Sequence, residues 1–172
     1  MAKQKMRTQY GFTLIETMVA IAILAIVISI AAPSFTRMLQ SNRAAVLSNE
    51  LVGALQVARS EALKRRTNVQ LCPRNAAGSD CGNGSDWSVG WLLIVKVTVN
   101  NAVNTVVLRS WEPLSGGTLT GPVDGVTYQS NGLTTLTNAA NGSFTITTSA
   151  TCSRTLQVSV TGNTSVDSGS CT

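Results

Sequence analysis

A long apolar run near the N-terminus places the first limit on what this chain can fold into. Counted from Phe12 it extends for 21 residues before Pro33, and from Met18 to Ala32 the one polar residue is Ser29. At ~1.5 Å per residue, a helix of that length spans a bilayer core of ~30 Å. Lys3, Lys5 and Arg7 precede it. Basic flanks stay cytoplasmic, so the chain beyond the run is expected to be exported. A cleaved secretory signal, with a weak small-residue site at Ala31-Ala32-Pro33, and a plain membrane anchor both fit the run. Neither accounts for Glu16, a carboxylate at the fifth position of it. A charge in lipid is costly and marks function with a partner nearby, unless it lies close enough to the interface to reach water.

The chain contains no histidine, which excludes histidine-based nucleophile activation, acid/base work and zinc ligation. Apolar residues make up 44% and charged residues 12%, which is not a disorder composition. The net charge of +5 is unevenly spread. From residue 67 onward, four basic residues (Arg74, Lys96, Arg109, Arg154) face five acidic ones (Asp80, Asp86, Glu112, Asp124, Asp167), a balance of −1. No nucleic acid is therefore expected as a partner of that part. Lys64-Arg65-Arg66 reads as a solvated helix C-terminus, where cations favour the dipole, rather than as a site for DNA or anionic lipid.

Helical character extends from about 12 to 66. Leu47, Leu51, Leu55, Ala58 and Ala62 recur at three- and four-residue steps, an amphipathic stripe that faces a core. Pro33 lacks a backbone donor and crowds the preceding turn, so a kink or local melting is expected there. From residue 67 the texture is β. Strands are expected at Val69–Cys72, Trp87–Val99, Val106–Trp111, Val126–Gln129, Phe144–Thr147, Leu156–Val160 and Thr164–Val166. Asn100-Asn101-Ala102 reads as a hairpin loop and Gly162-Asn163 as a two-residue turn. The Thr/Ser/Asn/Gly-rich stretch 115–151 reads as surface loops, and the apolar run Trp91–Val95 as a strand buried against the helix. The fold class is thus α+β, a long N-terminal helix on an antiparallel β head.

An exported head permits disulfides. Four cysteines allow three pairings, and proximity along the chain favours Cys72–Cys81 and Cys152–Cys171. The spacings are not of the CxxC type, so no metal is expected. Asp80 and Asp86 flank Cys81 in a glycine-containing loop; calcium binding is conceivable, but turn formation is the ordinary use of such carboxylates. No nucleophile–base pairing is evident, and no cofactor is implied. A membrane-anchored periplasmic enzyme or ligand-binding domain is the contrasting class.

Gly11 followed by Phe12-Thr13-Leu14-Ile15-Glu16 resembles the class III signal of type IV pilins and type II secretion pseudopilins. The resemblance implies cleavage after Gly11 by a prepilin peptidase and N-methylation of Phe12. Glu16 would be the family's glutamate, pairing with a neighbouring subunit's N-terminal amine and setting axial register. The basic leader (1–11) would be lost. The segment 12–33 would stay in the membrane or filament core, 34–66 would pack on the head, and 67–172 would form the head. Leu51 to Ala62, with the ARSEA sequence at Ala58–Ala62, the segment Val69-Gln70-Leu71-Cys72, and Trp87-Ser88-Val89-Gly90-Trp91 are similar to the GspH/FimT/FimU group of pilin-like proteins, FimU-like minor pilins in particular.

That resemblance implies a non-catalytic minor pilin that helps to prime assembly of a type IV pilus and links other minor pilins to the major pilin. Its further partners would be the prepilin peptidase and an inner-membrane assembly platform. It would cross the bacterial inner membrane once, with a periplasmic head, and later lie in the pilus at or near the tip. A minor pseudopilin of type II secretion is the alternative. A DNA-binding competence pilin fits less well. That type carries a Gly-Arg-x-Arg motif near its C-terminus, and the matching turn here is Gly162-Asn163-Thr164-Ser165, without arginine.

Overall fold

The computed structural model describes residues 11–150, 152–167 and 169. One helix, α1 (Leu14–Arg65), leads into β1 (Val69–Pro73), β2 (Trp91–Val99), β3 (Ala102–Ser110), β4 (Thr118–Thr120), β5 (Val126–Tyr128), a 3-10 turn (Ala139–Gly142), β6 (Ser143–Ser149), β7 (Cys152–Val158) and β8 (Thr164–Asp167). The chain divides into two compact units between Thr36 and Arg37, within α1. The helix assignment continues through Pro33. Melting of α1 at that point, one of the two expected effects of Pro33, is thus not observed. A proline costs one backbone donor and crowds one turn, and the turns on either side keep their own bonds.

In the second unit the strands form two four-stranded sheets, ordered β3-β2-β1-β5 and β4-β6-β7-β8, and every pairing is antiparallel. Both sheets contribute to one core with α1. Leu51, Leu55, Ala58 and Ala62 of the expected stripe are fully buried, together with Ala44 and Ala54. They share that core with Trp91, Leu93 and Val95 of β2 and with Phe144, Ile146, Leu156 and Val158 of the second sheet. Alanines on the helix face let the sheets approach closely, while the leucines supply apolar area at roughly 25 cal/mol per Å². Trp87 meets Phe144 edge-on at 4.8 Å, and Trp91 stacks on Trp111 at 6.1 Å.

Every residue from Trp91 to Val95 is buried, and alternation explains how. Trp91, Leu93 and Val95 face the helix. Leu92 and Ile94 point to the other face, where Cys72 and Cys81 cover them. The disulfide Cys72–Cys81 is formed, with a Cα separation of 5.5 Å. Cys152 is buried at the start of β7. Its expected partner, Cys171, lies outside the described residues.

Several strand boundaries differ from the sequence reading. Trp87–Gly90 is a turn, not the start of β2, because Gly90 has φ +91° and redirects the chain. A Cβ at Gly90 would lie 2.4 Å from the Trp111 carbonyl oxygen. The turn bridges the sheets instead: the Trp87 amide donates to the Leu119 carbonyl (2.8 Å), and the Leu119 amide donates to Ser88 Oγ (2.8 Å). Within the stretch 115–151, β5 and β6 correspond to the expected strands Val126–Gln129 and Phe144–Thr147, and β4 is a strand where loop was expected. Threonine fits a pleated surface well, and polar composition hides a strand whose single inward residue, Leu119, is buried. The hairpin turn is Asn100-Asn101, both with positive φ (52° and 62°), and Ala102 already pairs with Val99. β7 starts at Cys152 and ends at Val158, so Ser159–Asn163 forms a wider turn than Gly162-Asn163 alone.

The C-terminus of α1 ends in a left-handed residue, Arg66 (φ 53°), and the Thr67 amide donates back to the Ala62 carbonyl at 3.3 Å. That is the six-to-one bond of a Schellman stop. The Cys72–Cys81 bridge closes a loop of nine residues' separation. Cross-linking a loop of that size stabilises by about 2–3 kcal/mol through the unfolded state. Replacing both cysteines by serine is expected to lower the unfolding free energy by that amount, measured by urea titration of the full chain in detergent.

Candidate functional site

The first unit contains the apolar helix half and its start. Thr13 is the N-cap residue and Glu16 the third residue of the helix. The Glu16 amide donates to Thr13 Oγ1 (3.3 Å), and the Thr13 amide donates to Glu16 Oε2 (3.5 Å). This is a reciprocal capping box, which satisfies two of the donors that a helix start leaves open. The Thr-x-x-Glu spacing ahead of an apolar run carries that signal, and the sequence reading passed over Thr13.

The capping contact uses one acceptor position of the Glu16 carboxylate, out of about four. The remaining capacity faces outward. Phe12 is 83% and Leu14 77% exposed, and apolar side chains stand exposed along the helix to Phe35. Two hydroxyls in this stretch are already satisfied: Thr17 Oγ1 donates to the Leu14 carbonyl and Ser29 Oγ to the Ile26 carbonyl, both at 2.7 Å. They add little cost in an apolar surrounding. Glu16 is the only charged side chain between Phe12 and Thr36. The helix is long and apolar enough to cross a membrane. Gly11 is exposed, and a Cβ added there meets nothing within 4 Å.

In the second unit several charged residues are committed to neighbouring structure. Glu61 accepts from Arg65 Nε at 2.6 Å and lies 3.9 Å from Lys64 Nζ. The hydrogen bond from Arg65 holds the Glu61 carboxyl below its usual range, against a smaller opposing effect of burial. Arg109 lies over the Trp111 ring at 5.3 Å, and Arg74 pairs with Glu112 at 3.2 Å. Asp80 Oδ1 accepts from the Cys81 amide and Asp80 Oδ2 from Thr105, while Asp86 Oδ1 accepts from the Ser88 amide. Both aspartates build turns, the ordinary use named above. Among the described residues no group of three or more Cys, Asp or Glu side chains converges as a metal site would need.

Arg154 Nη2 donates to Ser41 Oγ at 3.5 Å across 113 positions of sequence, and Arg59 also pairs at long range. It reaches across more than one hundred residues of sequence to the β7–β8 turn, bonding Asn163 Oδ1 (3.1 Å) and the Thr161 carbonyl (3.2 Å). Beside it is Tyr128, fully buried, with burial pushing its phenol up to about 12 against a smaller downward pull from Arg59.

Thr13→Val removes the hydroxyl acceptor of the capping box while keeping the side chain's shape. The expected loss is about 1 kcal/mol at the helix start. Hydrogen exchange at the Glu16 amide should then speed up about fivefold, with amides beyond Met18 unaffected.

Comparison with known proteins agrees with this geometry. The family model described as type II transport protein GspH matches residues 47–164, and the prokaryotic N-terminal methylation motif matches residues 6–32. Two crystal structures of the type IV minor pilin FimU from Pseudomonas aeruginosa (strain PAO1) share the fold. One has a TM-score of 0.51 and 22% identity, over 69% of this chain and 88% of its own. The other has a TM-score of 0.54 and 22% identity, over 73% of this chain and 89% of its own. No curated protein matches. With a long N-terminal helix, antiparallel sheets and a methylation motif in one polypeptide, the chain belongs to the GspH family of pilin-like proteins.

Proposed function

We propose that this chain is a minor pilin, processed after Gly11, N-methylated at Phe12 and built into a type IV pilus, where it helps to prime assembly and joins other minor pilins to the major subunit. One observation carries the reading: a single carboxylate, Glu16, stands at the head of a helix half whose apolar side chains are exposed in the free chain. Such a surface needs lipid before assembly and neighbouring helices after it. In either setting an unpaired charge is expensive, and a neighbour's N-terminal amine relieves both costs at one axial position. The register is therefore written into where Glu16 lies. Pro33 would let α1 bend to fit its neighbours. The role is non-catalytic, with the prepilin peptidase and an inner-membrane assembly platform as further partners.

The description of the matched family favours a second reading, a minor pseudopilin of type II secretion. Identifying the chain in filaments sheared from the cell surface, by intact and peptide mass spectrometry, separates the two. A trace component beginning at methylated Phe12 supports the minor pilin; processed chain confined to the inner membrane supports the pseudopilin. DNA uptake receives less support, since Arg109 is engaged with Trp111 and the β7–β8 turn carries no arginine of its own.

Gly11→Ala is expected to leave the packing of the described residues unaffected, because the added Cβ meets none of their atoms within 4 Å, and yet to slow leader removal at least tenfold. The ratio of long to mature chain on a gel reads this directly. Glu16→Val should leave insertion and cleavage intact and reduce incorporation into filaments by tenfold or more. Wild-type incorporation of that variant would remove the basis of the register argument.

A further inference from the structure

A cavity of about 250 Å³ in the second unit is lined by Gln56, Arg59, Tyr128, Gly162, Asn163 and Thr164. We propose that it binds a carboxylate group, held by the side-on edge of Arg59 and the hydroxyl of Tyr128.

Three observations point there. The Tyr128 hydroxyl is buried and has no hydrogen-bond partner among the described residues. Leaving a buried polar group unsatisfied costs about 1–3 kcal/mol, and phenylalanine would fill the same ring volume without that cost. The Arg59 guanidinium is half-buried and has no acidic partner among the described residues. Its hydrogen bonds go to neutral oxygens: Nη1 to Asn163 Oδ1 and, at 3.5 Å, to the Gly162 carbonyl, and Nη2 to the Thr161 carbonyl. Nε and the second Nη2 hydrogen take no part in these bonds. Those two N–H groups form the edge that matches the two oxygens of a carboxylate. The third observation is the wall. Among the described residues no carboxylate lines the cavity. Glycines stand near Nε, where a Cβ at Gly132 or Gly162 would come within 3.2 or 3.4 Å of it.

The charge balance selects the ligand class. One guanidinium neutralises one carboxylate, and the phenol supplies a third donor. A doubly charged phosphate would be under-compensated in a half-buried site, and a spherical halide lacks the pair of acceptor atoms that gives each N–H group its own linear partner. The carboxylate has two possible sources: a small free acid, or an acidic side chain of a neighbouring subunit, the latter resting on the assembly reading above.

The test uses the purified full chain in detergent, with sodium acetate as probe and sodium chloride at equal ionic strength as control. Acetate is expected to raise the thermal midpoint saturably, and chloride to leave it unchanged. Tyr128→Phe should keep or raise the midpoint without acetate and weaken acetate binding about tenfold or more, the effect of losing a hydrogen bond to a charged group. Arg59→Lys, which keeps the charge but loses the planar edge, should weaken it as well. No saturable shift, or an equal shift in Tyr128→Phe, overturns the proposal. Incorporation of Tyr128→Phe into filaments then tells the sources apart. Reduced incorporation identifies a neighbour's carboxylate, and unchanged incorporation a free acid. Acetate binding by the isolated chain stands or falls independently of whether the chain enters a filament.

Discussion

The second unit depends on one stripe of α1 being covered by two sheets at once. Leu51, Leu55, Ala58 and Ala62 are shared ground: β2 lies on them from one sheet, while Phe144, Ile146, Leu156 and Val158 of the other complete the same core. The main core belongs to neither four-stranded sheet alone, so the helix cannot be removed without exposing both. The small side chains matter as much as the large ones. Alanine at 54, 58 and 62 keeps the helix surface low enough for tryptophan and phenylalanine rings to fill the space above it.

The other half of α1 faces the opposite problem. Its apolar side chains have no core within the described chain, so a favourable environment must come from outside. The polar atoms of this half are disposed accordingly. Thr17 and Ser29 hand their hydroxyl hydrogens to their own helix backbone, and Thr13 caps the first turn. What is left over is a single charge, Glu16, whose carboxylate is only partly used by the cap. In the assembly proposed above, a pairing with a neighbour would draw on the same group as the cap and would couple helix initiation to assembly at one residue.

Much of this organisation is legible along the chain. Periodicity found the buried stripe, because a helix repeats its contact face every three to four residues. The run Trp91–Val95 identified a strand buried against the helix, the structure adding that its other face is covered too, and the short spacing of Cys72 and Cys81 suggested their bond. The motif from Gly11 to Glu16 marked the family. Other features left no local trace. Trp87 looked like strand because it is aromatic and close to Trp91, yet Gly90 turns the backbone and Trp87 ends up clasping the second sheet. β4 is three residues long and mostly threonine, so composition concealed it. Arg59, inside the Ala58–Ala62 motif, gave no sign of its contacts. Its partners lie more than one hundred positions away, and no spacing rule reaches that far.

By itself the sequence determined the helix, its division into an apolar half and an amphipathic half, the place of the one charge in the apolar half, and the presence of a β head. These follow from periodicity, run length and charge position, which act between neighbours in the chain. The tertiary structure alone decided that the strands split into two sheets, that the Trp87–Gly90 turn joins them, and that Arg59 meets Tyr128 at a cavity beside the β7–β8 turn. Those outcomes depend on which surfaces can close over one helix face together, and that choice is made by packing in three dimensions rather than by any residue's local preference.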